Sequence, residues 1–529
     1  MNLFRRLEQL NGIGAALSRE RDIERLLENI LEAAKTLTGA DGGTLYSVTE
    51  SRTALHFEIM RTDSLGIRQG GTTGQRIALP DLPLRHADGS PNDALVAAHS
   101  ALHDRTVNIA DAYAEEGFDF SGTRAFDQRT GYRSQSFLTV PMKNHDGELI
   151  GVLQLLNALD PETGQVVAFS EADQSLTESL ASQAAIALSN RLLITQLERL
   201  FESFVKLINI AIDEKSPYTG GHCERVPALT MMLAEAADAT TDGPLADFHM
   251  TERDRYELQM AGLLHDCGKI TTPVHVVDKA TKLQTIYDRI DLVDTRFEVL
   301  KRDARLAALR AQLALRPVVD AGAEAAAESN LQRELQAIDA DREFLRRCNQ
   351  GVESMQEADQ LRVRMIGTQR QWRNVEGVHT AFLTAEEMEN LTIRAGTLTQ
   401  AERDTINYHI VATIKMLETL PWPRHLKNVP EYAGGHHERM DGKGYPRGLT
   451  REQMSVQARM MGIADIFEAL TAADRPYKSG MKLSQALAIM EKMAHNGHID
   501  PDLFAVFVRE RVYQRYAEKF LEPLQIDLA

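Results

Sequence analysis

His436-His437-Glu438-Arg439-Met440-Asp441-Gly442-Lys443-Gly444-Tyr445-Pro446 is the stretch whose reading decides the fold. Two adjacent histidines and two acids precede a Gly-Tyr-Pro corner. Gly442 and Gly444 permit backbone angles closed to other residues, and Pro446 fixes its own φ, so the histidines open into a defined loop. A metal site closed by a loop over substrate is one reading, and a histidine-bearing turn is the other. The rest of the chain decides between them.

Working outward, matching ligand types recur within runs of helical periodicity. His265-Asp266 lies in Met260-Ala261-Gly262-Leu263-Leu264-His265-Asp266-Cys267-Gly268-Lys269, and His222 just precedes Glu224-Arg225-Val226. His409 falls in the run Ile406, Ile410, Ile414, Leu417, and Asp465 in the run Met461, Ile463, Ile466, Phe467, Leu470. A histidine beside an aspartate suits a centre where the carboxylate bridges two metals and the imidazole binds one. Lys269 follows His265 by four residues, which predicts the same helix face and an ammonium within reach of substrate phosphate. Any single histidine here is more often a satisfied core or surface residue than a ligand. Five histidines and two aspartates at such motifs weigh against that reading. Imidazole with carboxylate suits Fe, Mn, Zn or Ni.

Taken together, His265-Asp266 and His436-His437 with Asp441-Gly442-Lys443-Gly444-Tyr445-Pro446 resemble the HD-GYP family of cyclic di-GMP phosphodiesterases, over about residues 212–483. The resemblance implies an all-α domain, placed here at 213–529, that hydrolyses a bacterial second messenger to pGpG or GMP. It implies metal ligands at His222, His265, Asp266, His409, His436, His437 and Asp465, each of the expected type. Asp266 and Lys269 would act on the reacting phosphate. Lys269, Tyr445, Arg475 and Lys478 would bind substrate. Some relatives hold a third metal through a glutamate four residues before the first histidine. Tyr218 stands there, which predicts two divalent ions, iron or manganese ahead of nickel or zinc. Cys223 and Cys267 neighbour ligands and are expected to point away from them. Alternatives are hydrolysis of another cyclic dinucleotide or nucleotide, and a catalytically silent binding module. A missing ligand would favour the silent module, and none is missing.

Bulk composition fits this frame. A chain of 529 residues exceeds what one core supports, so several domains are expected. No apolar run approaches a membrane span, and charges at Arg5, Arg6 and Glu8 fall where a signal peptide needs apolar residues. Three scattered cysteines suit a reducing cytoplasm. A formal net charge of −17 argues against binding a nucleic-acid polymer, while leaving small anionic ligands open.

The N-terminal third has a different pattern. Ile23, Leu26, Leu27, Ile30, Leu31 and Ala34 show helical spacing. Thr44–Val48, Leu55–Ile59, Ser136–Met142 and Leu149–Leu156 alternate as strands, the last two joined at Asp146-Gly147, with a long polar loop before them. This α+β region, 15–185, resembles a GAF domain of cyclic-nucleotide phosphodiesterases and adenylyl cyclases. The likeness rests on Asn108–Tyr113, Phe126–Ser134 and Gly151–Asn157. It implies an antiparallel sheet with flanking helices that senses a cyclic nucleotide or other small ligand, at a pocket holding Asn108, Asp111, Thr130 and Tyr132. The family signature keeps Asn157, Phe169 and Asp173, but Ala158 replaces its lysine and Gln174 its glutamate. A packing and dimerisation module is the alternative.

Between the two regions, Ser175–Ile212 reads as one helix. Ile186, Asn190, Leu193, Leu197, Leu200, Phe204, Leu207 and Ala211 alternate in steps of four and three. That heptad seam predicts a parallel coiled coil over 186–212, joining a homodimer, with Asn190 setting register. A helix packed on its own domain is the alternative. A final segment, 303–396, expands the usual spacing before His409. Its Ala, Leu, Arg and Glu content predicts a protruding helical hairpin, Arg289–Arg316 and Ala323–Cys348, turning near Pro317 with solvated charged faces.

Overall fold

The computed structural model describes residues 3–215, 221–314, 321–352, 354–473 and 480–528. They form two compact units, Met1–Phe201 and Glu202–Ala529.

The first unit is built on one antiparallel sheet. Its strands are β1 (Ala40–Val48), β2 (Ala54–Thr62), β3 (Ile67–Gly70), β4 (Leu82–Pro83), β5 (Val107–Ile109), β6 (Phe137–Lys143), β7 (Leu149–Leu159) and β8 (Val166–Val167). They run in the order β3-β2-β1-β7-β6-β5, with β4 against β2 and β8 against β7. Alternation along the strands sends Leu45, Leu153 and Leu155 to one face and Tyr46 and Val152 to the other. The Ile23–Thr38 helix covers the first face. Asp22 caps its start by accepting from the Arg25 N–H, and Gly39, at φ 71°, ends it by donating to the Lys35 carbonyl. Leu26, Ile30, Leu31 and Ala34 are fully buried there with Leu180 and Ala184 of the Glu171–Lys215 helix. Each such leucine contributes roughly 1.5–3 kcal/mol of apolar burial. A first helix, Leu3–Leu17, adds Leu10 and Leu17 to this core and has no counterpart in the sequence reading.

The long polar loop expected before β6 is in fact structured. It holds β3 to β5 and the helices Val96–His103 and Ser121–Thr130, elements too short to show a period. The departure at Ala158 also finds its reason. Asp173 pairs with Arg6 at 2.7 Å and accepts from both the N–H and the hydroxyl of Ser170, so its partner comes from the first helix instead of β7.

Helix Glu171–Lys215 runs unbroken for 45 residues. Within it Leu193, Leu197, Leu200, Phe204 and Leu207 stand exposed, as a seam without a partner in one chain would.

The second unit is helical. Capping boxes at Thr251 with Asp254 and at Thr399 with Glu402 start the helices Glu252–Leu264 and Gln400–Glu418, and Ser455 caps Val456–Thr471. With His222–Asp238 and Val429–Gly434, these helices carry the candidate ligands.

The expanded spacing forms the expected pair of helices, Ile290–Ala314 and Ala321–Asn349; Pro317 lies outside the described residues. Its charged faces are mostly exposed over 302–314 and 322–334, as expected, and are covered only nearer the ends that meet the rest of the unit. Helices Glu357–Gln369 and Ala385–Leu391 and a small hairpin, β9 (Gln371–Arg373) with β10 (His379–Ala381), fold against the pair. Leu283, Phe297, Ile338, Phe344, Val363, Phe382 and Leu391 make a separate core. Arg296 is buried in a two-pronged pair with Glu387, at 2.7 and 2.9 Å, and Lys279 reaches Glu402 at 2.7 Å. The second contact ties the segment ahead of the insertion to the start of the helix that bears His409.

Candidate metal centre and sensor cavity

Three of the histidines follow one local rule. His265 Nδ1 lies 2.7 Å from the Gly262 carbonyl, His436 Nδ1 lies 2.6 Å from the Ala433 carbonyl, and His409 Nδ1 meets the Ile406 carbonyl. Each acceptor is the carbonyl three residues earlier. A carbonyl only accepts, so Nδ1 carries the hydrogen and Nε2 presents its lone pair inward. His222 is the first residue of its helix. Its Nδ1 instead meets Glu468 at 2.7 Å, one of whose oxygens also takes Arg225 at 2.6 Å.

The inward nitrogens converge on Asp266. His222 Nε2 and His265 Nε2 stand 2.9 and 3.2 Å from its Oδ2 and 3.3 Å from each other, with Asp465 Oδ1 3.5 Å from His222. On the other side, His409 Nε2 is 3.3 Å from Asp266 Oδ1 and 3.2 Å from His437 Nε2. Ligand atoms around an ion bound at 2.0–2.1 Å sit roughly 3 Å apart, so these separations are those of ligand shells. Two groups could each hold an ion: His222, His265 and Asp266, and His409, His436 and His437. Asp266 offers one oxygen to each. Two buried atoms, Asp266 Oδ1 and His436 Nε2, have no hydrogen-bond partner, a costly arrangement that a cation would satisfy. The donor set therefore fits the divalent metals that the sequence resemblance implies.

Electrostatics agree. Burial disfavours the Asp266 charge, but Lys269 and the neighbouring histidines hold its carboxyl well below the usual range. Burial and the adjacent His265 lower His436 to about 4, and burial with His436 and His409 lowers His437 well below the ordinary imidazole value. Both rings are neutral near pH 7 and free to bind metal. Burial and Lys269 oppose charge on His222, yet Asp266 and Glu468 outweigh them and raise it to about 9. Metal binding at His222 must then displace a proton.

Lys269 reaches Asp266 at 2.6 Å, but not along a helix face as the sequence reading had it. The helix ends at Leu264, and a 3₁₀ turn, Cys267–Thr271, brings the lysine back. Gly268 makes the turn fit: a Cβ there would stand 2.0 Å from the His409 carbonyl. Cys223 and Cys267 are buried and belong to neither ligand group, and burial raises both thiols. Tyr445 stacks on His437, centroids 4.9 Å apart, so the Gly-Tyr-Pro loop walls the site. Glu438 braces that loop, accepting from the N–H groups of Arg447 and Leu449 at 2.7 and 2.9 Å. Arg475, Lys478 and Tyr218 lie outside the described residues.

Sequence reasoning missed Glu468 and Glu438. Glu468 had a signal, since it lies three residues after Asp465 on one helix and so shares its face.

In the first unit a cavity of about 450 Å³ lies against the sheet, lined by Tyr46, Phe57, Phe126, Tyr132, Phe137 and Gln154 among others. Of the four residues expected there, it takes in Tyr132, whose hydroxyl donates to Asp41 at 2.6 Å. The other three do not line this cavity. Asn108 donates to the Phe169 carbonyl, Asp111 accepts from the Tyr113 N–H, and the Thr130 hydroxyl donates to the Phe126 carbonyl.

Glu468→Gln removes the charge that orients His222. It is expected to weaken metal binding about 10–100-fold with the fold intact, read by competition with a chelating dye. Unchanged affinity would show that Glu468 does not support the centre.

Family comparisons follow the same division. The GAF domain model matches residues 22–188, and two models described as HD domain match 219–350 and 383–503. Among curated relatives, a 3'3'-cGAMP-specific phosphodiesterase of Vibrio cholerae is 41% identical over 112 residues, 21% of this chain and 23% of that one. A second from the same organism is 46% identical over 88 residues, 16% of this chain and 20% of that one. A cyclic di-GMP phosphodiesterase of Pseudomonas aeruginosa is 49% identical over 74 residues, 14% of this chain and 17% of that one. These matches span about a fifth of the relatives' length. The chain thus carries a GAF domain followed by a region that matches two HD domain models.

Proposed function

We propose that this chain hydrolyses a phosphodiester bond of cyclic di-GMP, using two divalent metals held by the HD domain, under control of the GAF domain. The observation that carries the reading is Asp266, with one oxygen toward each of two histidine groups. His222, His265, Asp266 and Asp465 would hold one ion, and His409, His436 and His437 with Asp266 the other. Divalent metals so bound supply Lewis acidity and lower the pKa of coordinated water from 15.7 to about 7. Lys269, kept charged beside Asp266, would neutralise charge building on the phosphate oxygens. Tyr445 would confine the nucleotide at the loop. Arg475 and Lys478 would take the second phosphate or a guanine edge, where arginine's planar fork matches the acceptors.

A second reading changes only the substrate. The names of two relatives favour 3'3'-cGAMP over cyclic di-GMP. Both substrates are 3',3'-linked cyclic dinucleotides, so the same centre serves either.

The exposed seam at Leu193, Leu197, Leu200, Phe204 and Leu207 supports a parallel homodimer through the linker helix. Five large apolar groups on one exposed stripe are costly to leave in water. The GAF cavity supports small-ligand control of the hydrolase.

Two measurements test these readings. Protein loaded in turn with Mn, Fe(II) and Ni is incubated with equal concentrations of cyclic di-GMP and 3'3'-cGAMP, and the products are resolved chromatographically. Linear pGpG or GMP is expected to appear first, and the rate should fall at least about 1,000-fold in His265→Ala and Asp266→Ala. Full activity in either variant alongside lost metal would refute the two-metal reading, and faster loss of 3'3'-cGAMP would move the substrate. For the seam, Leu197→Glu with Leu200→Glu is expected to yield monomers in analytical ultracentrifugation where the parent sediments as a dimer. A monomeric parent would remove the coiled coil.

A further inference from the structure

Away from the HD centre, His99 and His103 lie four residues apart on the Val96–His103 helix, so their rings share a face, with centroids 4.5 Å apart. Asp93, just before that helix, places Oδ1 2.6 Å from His103 Nε2 and 3.3 Å from His99 Nδ1. His99 Nδ1 is buried and has no hydrogen-bond partner. Its ring is fixed edge-on to Phe118, centroids 5.3 Å apart, so the nitrogen is aimed and not free to turn away.

An ordinary Asp93–His103 pair accounts for the 2.6 Å contact but leaves His99 unexplained. His265 and His436 each give Nδ1 to a carbonyl. His99 gives it to nothing, although the Asp93 carboxylate is at hand.

We propose that Asp93, His99 and His103 form a second transition-metal site, in the GAF domain, that binds a borderline divalent ion such as Zn(II). The three candidate ligand atoms lie within 4.8 Å of one another. The 3.3 Å between His99 and Asp93 is close to the roughly 3.3 Å that separates ligands on a tetrahedral ion at 2.0–2.1 Å. Two imidazoles and one carboxylate select zinc and its neighbours over magnesium or calcium. Asp93 and His103 are exposed, so an ion can enter and water can complete its shell. An ion at His103 Nε2 replaces the hydrogen bond to Asp93, and the imidazole then carries its hydrogen on Nδ1. The ion would pin the chain before the helix to its last turn. That helix packs through Ala97 and Ala98 on the sheet face of Tyr46 and Val152.

The test is equilibrium dialysis of the full chain against buffered Zn(II), compared with the triple variant Asp93→Asn, His99→Gln, His103→Gln. The variant is expected to bind one zinc fewer per chain, with its cyclic-dinucleotide turnover unchanged. His103→Gln alone, at an exposed position, is expected to raise the dissociation constant of that zinc at least tenfold. Equal zinc counts for parent and triple variant, or an unchanged constant for His103→Gln, would overturn the site.

Discussion

A carboxylate removed from water must be compensated by nearby charge or hydrogen bonds, and at Asp266 this constraint shapes the whole second unit. The side chain is almost wholly buried, and His222, His265, Lys269 and His409 surround it on both oxygens. Those partners come from separate segments of the chain. The helices His222–Asp238, Glu252–Leu264, Gln400–Glu418 and Val456–Thr471 must therefore meet at one point, and side-chain caps fix the starts of the last three.

Aim matters as much as proximity. Tying Nδ1 to the carbonyl three residues back sets both tautomer and ring orientation in His265, His409 and His436 without a further side chain. His222, first in its helix, must borrow Glu468, and Arg225 then balances that acid. Close approach at Gly268 lets the turn bearing Lys269 lie against the helix bearing His409. Glu438 holds the Gly-Tyr-Pro loop so that Tyr445 stays on His437.

The candidate ligands were legible from the motifs that carry the resemblance, and the structure brings six of those side chains into two groups. Strands and long helices were legible from their periods. What sequence could not give were pairings across the fold. Nothing local tells that Asp173 meets Arg6, or that Arg296 and Glu387 meet inside a core. A charged stripe reads as solvated until its partner is known. Asn108, Asp111 and Thr130 were named as pocket residues by the resemblance alone, yet Asp111 and Thr130 make hydrogen bonds within their own segments and Asn108 one to the distant Phe169 carbonyl. Lys269 was expected on the helix face of His265, and that failed because periodicity does not reveal that the helix stops at Leu264.

The central claim is that Asp266 joins two ions into one centre. Electron paramagnetic resonance of the Mn(II)-loaded full chain tests it most directly. An exchange-coupled manganese pair is expected, giving way to isolated six-line signals in Asp266→Asn. Uncoupled signals in the parent protein, at two ions per chain, would contradict the account.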